Sequence, residues 1–166
     1  MNLSIKKTQL AIIFTIIFLT GCAAESYYRR MKVVAEPVAT PFIWPLQGPL
    51  VSRYGEVERG VALKGILLQG SEGDKVSAAR DGNVVLVDQK MRGYGTIVIL
   101  QHDEDFSTVY AGSSKVLVDV GQSVHQGQPI ARVGGSGKGK APLLYFELRK
   151  KNASQDPLKI LPLRQA

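Results

Sequence analysis

From Phe42 onward, apolar and polar residues alternate in short runs, and no stretch keeps the 3.6-residue spacing of an amphipathic helix. Glycine and Asx residues interrupt these runs about every 8 to 12 positions, the spacing of short strands in a sandwich or barrel. Asn83 to Val87, bounded by Asp81-Gly82, reads as one strand, and Thr96 to Gln101 reads as the next after the Gly93-Tyr94-Gly95 turn. Asp103 to Asp105 makes a polar hairpin tip before a strand from Phe106 to Tyr110. Val116 to Val120, Pro129 to Val133 and Leu143 to Leu148 complete the set, separated by Gly121, Gly127 and the run Gly134 to Gly139. The pattern predicts an all-β domain. It also holds an internal echo, Gly73-Asp74-Lys75-Val76 with Gly82-Asn83-Val84 against Gly121-Gln122-Ser123-Val124 with Gly127-Gln128-Pro129-Ile130.

The beginning of the chain follows another rule. Lys6 and Lys7 precede a nearly unbroken apolar run from Leu10 to Leu19, the length of a signal-peptide core and too short to span a bilayer of about 30 Å. The tetrad Leu19-Thr20-Gly21-Cys22 resembles the lipobox of bacterial lipoproteins, which implies cleavage before Cys22 and acylation of its thiol. Several acyl chains, at about 0.8 kcal/mol per buried methylene, make a stable anchor. The expected organisation is a signal peptide over 1–21, a lipid-anchored tether over 22–41 and one folded domain over 42–166. Ala23 follows the cysteine where an aspartate would resemble an inner-membrane retention signal, so the resemblance points to the periplasmic face of the outer membrane.

Composition narrows the chemistry. Cys22 is the only cysteine, and acylation occupies it, so thiol catalysis, disulfides and Cys-ligated metals are excluded. The chain is net +7; without residues 1–21, which carry two of its 21 basic and none of its 14 acidic side chains, it is net +5. No basic stretch interleaved with aromatics supports stacking on bases, and the compartment argues against nucleic acid. Acidic surfaces of a partner protein, of the wall or of lipid are the expected counterparts. His102 and His125 read as turn or surface residues, and Asp103, Glu104 and Asp105 read as a solvated turn without the distal oxygen ligands of a calcium loop. Gly134 to Lys140 departs from the phosphate-binding loop pattern at both ends.

Six ordered blocks carry a family resemblance: Trp44 to Gly55, Lys64 to Val85, Arg92 to His102, Val109 to Ala111, Val120 to Gly134 and Leu144 to Arg149. They resemble the LytM, or lysostaphin-type, zinc metallopeptidase domain. The resemblance implies a barrel-sandwich hybrid, two antiparallel sheets with a groove. Active members bind zinc through a His-x-x-x-Asp pair and the second histidine of a His-x-His, with water in the open position. Here Leu63 and Leu67 stand at the first pair and Leu143 and Tyr145 at the second, while the further catalytic histidine is replaced by Gly112. The resemblance therefore implies no metal, no cofactor, no catalytic residue and no enzyme activity.

A LytM-like domain stripped of its ligands is most similar to amidase-activating factors of the EnvC and NlpD type, with the nearest match along Leu144 to Arg149. This resemblance implies binding and activation of a periplasmic N-acetylmuramoyl-L-alanine amidase during division or wall remodelling, with peptidoglycan as a further candidate partner. The positions matching the partner-binding groove are Lys64, Leu67, Tyr94, Ile97, Tyr110, Tyr145 and Arg149. Leucines in place of a His/Asp cluster make an apolar floor suited to a helix's hydrophobic stripe. Lys64 and Arg149 are expected to pair with acids on the partner. The alternative is a scaffold or peptidoglycan-binding lipoprotein that activates nothing.

Overall fold

The computed structural model describes residues 41–58, 60–88, 95–103, 105–135 and 141–164, all within the unit Thr40–Ala166. The expected signal, Cys22 and nearly all of the tether lie outside the described residues, and so does Tyr94. The strands in chain order are β1 Leu50–Ser52, β2 Val57–Glu58, β3 Val61–Ala62, β4 Ile66–Gln69, β5 Lys75–Ser77 and β6 Gly82–Asp88, then β7 Thr96–Gln101, β8 Phe106–Val116, β9 Ser123–Val124, β10 Pro129–Val133, β11 Leu143–Lys150 and β12 Ala153–Gln155. Their pairings are antiparallel. The one helical piece among the described residues is a 3-10 turn at Pro157–Lys159, which the Asp156 carboxylate caps by accepting from Leu158 N–H. The all-β antiparallel expectation holds.

One ladder runs β1-β4-β11-β8-β7-β6-β9, with β12 added to β11, and β2–β3 forms a separate ribbon. β8 joins the two layers of the sandwich. Its first half pairs with β7 and β11, and beyond Gly112 its last residues pair with β10, which in turn pairs with β5. Ile66 and Leu68 of β4, Val98 and Leu100 of β7, Leu144, Phe146 and Leu148 of β11 and Val76, Ile130 and Val133 of the β5–β10 arm share one buried cluster. The core therefore lies between the inner face of the long ladder and the inner face of the arm. Because side chains alternate across a strand, the intervening residues Leu67, Ile97, Ile99, Val109, Tyr145, Glu147 and Arg149 are on the ladder's other face.

The internal echo has a structural meaning. β5 and β6 belong to its first half and β9 and β10 to its second, and the halves pair crosswise, β5 with β10 and β6 with β9. The turns that launch β5, β9 and β10 share one construction, which also precedes β2. In Ser71–Asp74 the first residue's N–H donates to the Asp74 carboxylate at 2.7 Å, and Asp74 N–H donates back to Ser71 O at 3.1 Å. Asp119–Gln122 and His125–Gln128 repeat it with a glutamine side chain, and Arg53–Glu56 repeats it with a glutamate. The third residue of each is glycine, with φ of +85° at Gly73 and +88° at Gly121, as a type II turn requires.

Two strand expectations change. β8 does not stop at Tyr110 but continues to Val116, and the expected strand from Val116 to Val120 is absent beyond its first residue. The glycine at 112, with φ of +97°, bends β8 without ending it. Val118 is buried in the core from an irregular segment.

Candidate functional site

Three of the expected groove residues, Leu67, Ile97 and Tyr145, fall in one ordered row. Tyr145 of β11 stands opposite Leu67 of β4 on one side and Ala111 of β8 on the other, and Ala111 stands opposite Ile97 of β7. Leu67, Tyr145, Ala111 and Ile97 thus cross four strands at one level, on the face turned away from the core. Leu143 flanks Tyr145 on β11, opposite Gln69, and is half-buried. One step along the strands, Glu147 opposes Val109, which opposes Ile99, which opposes Leu86 of β6. Ile97, Val109 and Ala111 form a small hydrophobic cluster of their own, with Ile99 and Tyr145 packed against it. A sheet face that ordinarily meets water is apolar here over several strands.

One carboxylate organises the polar edge of this face. Glu147 is only 4% exposed. Its Oε2 accepts the Tyr145 hydroxyl at 2.8 Å, while Oε1 accepts Arg149 Nε at 2.7 Å and Ser154 Oγ at 2.8 Å. Burial alone would raise this carboxyl's pKa, but the hydrogen bonds from Arg149, Ser154 and Tyr145 outweigh it and hold the group below the ordinary range. The same contact with Glu147 raises the Arg149 guanidinium's pKa. Arg149, expected to reach for an acid on a partner, is instead paired to its own strand. What the face presents is a fixed Tyr-Glu-Arg bracket beside an apolar floor.

Tyr110 is a correction. The family resemblance puts it in the groove, but it is fully buried on the opposite face, packed against Phe146 with ring centroids 5.4 Å apart. Its hydroxyl accepts Ala79 N–H at 2.8 Å and lies 3.0 Å from Thr108 Oγ1, and burial raises its pKa to about 12. Sequence spacing alone does not separate it from Tyr145, because both are tyrosines in short strands; the register places them on opposite faces.

His102 is also not the bland turn residue expected. Its Nδ1 lies 2.8 Å from the Asp81 carbonyl, which only accepts, so the ring proton sits there and Nε2 accepts from Thr108 Oγ1 at 2.8 Å. Burial lowers its pKa, outweighing the Asp81 contact. Phe42 meets the ring edge-on at 5.2 Å. His125 is exposed and lies 3.8 Å from Asp81. Asp103 accepts both Asp105 N–H and Phe106 N–H and pairs with Arg80 at 3.0 Å, so it ties the hairpin tip to Arg80. Lys64 is exposed, in the bend just before β4.

The zinc positions do not fit zinc. Leu63, Leu67 and Leu143 carry no donor atom, and the Tyr145 hydroxyl is held by Glu147. Among the described residues no group of three His, Cys, Asp or Glu side chains could hold a metal ion. Position 112 has no room for a histidine in this backbone: a Cβ there would lie 2.3 Å from Leu143 O. Sequence reasoning misses Glu147, which looks like an ordinary solvated charge between Phe146 and Leu148. The signal is the period-2 spacing that puts Tyr145, Glu147 and Arg149 on one face.

The profile of the family described as peptidase family M23 matches residues 62–157. The murein hydrolase activator EnvC of Escherichia coli is 42% identical over 115 residues, covering 69% of this chain and 27% of the relative. The lipoprotein NlpD/LppB homolog of Pseudomonas aeruginosa is 39% identical over 132 residues, covering 80% of this chain and 43% of the relative. The chain thus spans less than half the length of these relatives. Among solved structures, a zinc-containing peptidase from Vibrio cholerae superposes with a TM-score of 0.66 at 27% identity, over 75% of this chain and 41% of the other.

Proposed function

The chain belongs to peptidase family M23, and from that premise we propose that it is a non-catalytic, lipid-anchored activator of a periplasmic N-acetylmuramoyl-L-alanine amidase, acting from the periplasmic face of the outer membrane. The observation that carries the reading is the row Leu67, Tyr145, Ala111, Ile97: an intact peptidase framework whose former metal face is apolar and bounded by a locked Tyr-Glu-Arg bracket. Without zinc donors the face has nothing to lower the pKa of a water or to stabilise an oxyanion. It has instead what a docked helix needs, an apolar stripe with directional polar groups beside it, and Tyr and Arg commonly dominate such contacts. The names of the relatives, a murein hydrolase activator and a lipoprotein, support the activator role and the anchoring by Cys22.

The test is release of dye from labelled sacculi by a host amidase, with and without the full chain. Release above the amidase's own rate, and none from this protein alone, is the expected result. Tyr145→Ala with Arg149→Ala should remove the gain. Release by this protein alone would refute the pseudoenzyme reading, and an unchanged gain in the double variant would move the docking face elsewhere.

A further inference from the structure

Across the core from the Leu67–Ile97 face, the arm carries a second feature. In the ladder β5–β10–β8, Lys75 stands opposite Arg132, and Arg132 stands opposite Lys115, so three cations form a row on one side of three strands. With strands about 4.8 Å apart, the row spans roughly 10 Å. Like charges directly opposite one another destabilise a sheet. None of them is held in an ion pair: among the described residues the ion pairs involve Arg80, His125, Arg149 and Lys151, and none of the three. Asp74, the one acid among the described residues lining the cleft beside them, accepts Ser71 N–H, and Arg132 spends one nitrogen on Gly73 O at 2.9 Å.

Beside this row lies a cleft of about 590 Å³ between the segment Ile43–Gln47 and β5, lined by Trp44, Gln47, Asp74, Lys75, Ser77 and Arg132 among others. That volume is in the range of small-ligand sites, and the lining mixes an aromatic wall with a few placed polar groups. The wall is fixed. Trp44 Nε1 donates to Pro162 O at 2.8 Å, and the Arg164 guanidinium lies 3.8 Å over the indole while bonding the carbonyls of Leu46 and Gly48. The segment itself is pinned to the arm by Ser77 N–H to Pro45 O and by Ile43 N–H to Ala79 O.

We propose that the cleft and its cation row bind the carboxylate-bearing glycopeptide of the cell wall, holding the strand on one side of the domain while the opposite face engages the amidase. The proposal rests on the wall-directed reading above. A sugar-peptide chain matches what is present: carboxylates for Lys75, Arg132 and Lys115, hydroxyl and amide partners for Gln47 and Ser77, and an aromatic wall for a ring. The concavity favours such discrete groups over a plane of lipid headgroups.

The experiment is co-sedimentation of the full chain, in non-ionic detergent and without amidase, with purified sacculi. Parent protein should bind, and Lys75→Glu with Lys115→Glu should reduce affinity about tenfold, as expected for losing charge-assisted contacts. Neither lysine is in an ion pair among the described residues, so the change spares the fold, whereas Arg132→Gln, which loses the Gly73 contact, serves as a second variant. Sacculi whose carboxylates have been converted to amides should bind the parent as weakly as intact sacculi bind the variant. Equal binding by variant and parent, no loss on amidating the wall, or tighter binding to phosphatidylglycerol vesicles than to sacculi would each overturn the proposal. Amidase stimulation assayed on a soluble glycopeptide should be unchanged in the variant. If the parent bound sacculi through these cations but stimulated no amidase, the activator reading would fall and this site would stand.

Discussion

At Glu147 one buried carboxylate receives three side chains, so removing it strands Tyr145, Arg149 and Ser154 together. Glu147→Ala should cost about 3 kcal/mol, because a half-buried guanidinium loses its counterion and two hydroxyls lose their acceptor. Glu147→Gln, which keeps an oxygen acceptor, should cost clearly less; equal losses in urea unfolding would mean the bracket acts by packing alone. The pH dependence has two arms with distinct windows. Glu147's pKa is lower in the folded state, so its contribution is complete above the unfolded value of about 4.3 and is lost as pH falls through the folded value. His102 is also lowered, but it is a base: the unfolded chain takes up its proton first, so stability declines as pH drops below about 6.5. His102→Gln should flatten that higher-pH arm and leave the acid arm in place, measured as unfolding free energy against pH. The role of His102 was not legible in the sequence, because its partner Asp81 lies 21 positions away and no local pattern displays it. That of Glu147 was legible only in part: period-2 spacing puts Tyr145 and Arg149 on its face, while Ser154 arrives across the β11–β12 register.

The strands themselves were legible where local chemistry decides them. Thr96–Gln101 and Pro129–Val133 have the bounds that alternation predicts, and the Gly-Asp, Gly-Glu and Gly-Gln pairs mark turns in which a side chain closes the loop. What alternation misjudged is β8, because Gly112 looks like punctuation and is instead a bend inside a strand. The two kinds of glycine should respond differently to the same change. Gly121 has φ of +88°, and a Cβ added there would meet nothing within 4 Å, so Gly121→Ala costs only backbone strain, about 1 kcal/mol. Gly112 has φ of +97°, and its Cβ would lie 2.3 Å from Leu143 O, so Gly112→Ala must also part β8 from β11. Its cost should exceed about 3 kcal/mol by urea denaturation. A Gly112→Ala chain as stable as Gly121→Ala would mean that the bend is free to relax, and that a histidine could return to this position.

At the scale of the molecule, one sheet separates two jobs: its inner face makes the core with the arm, and its outer face carries the docking surface proposed above. Tyr110 and Tyr145 test that division, since they differ in which side of the ladder they occupy. Tyr110→Phe removes the acceptor of Ala79 N–H from a fully buried site, so the chain should lose about 1 to 3 kcal/mol of stability. Activation per folded molecule should not change, because nothing on the outer face has moved. Leu67→Glu should do the reverse. The side chain is half-buried at the ladder's outer face, so an acid there costs the fold little, yet it sets a charge opposite Tyr145 in the middle of the apolar row. A partner helix would then bury an unpaired carboxylate, and activation should fall at least about tenfold with the unfolding midpoint shifted only slightly. If Tyr110→Phe lost activation while remaining folded, or Leu67→Glu retained it, the docking surface would have to lie on elements other than β4, β11, β8 and β7. The metal-less peptidase face would then be an unused remnant of the framework.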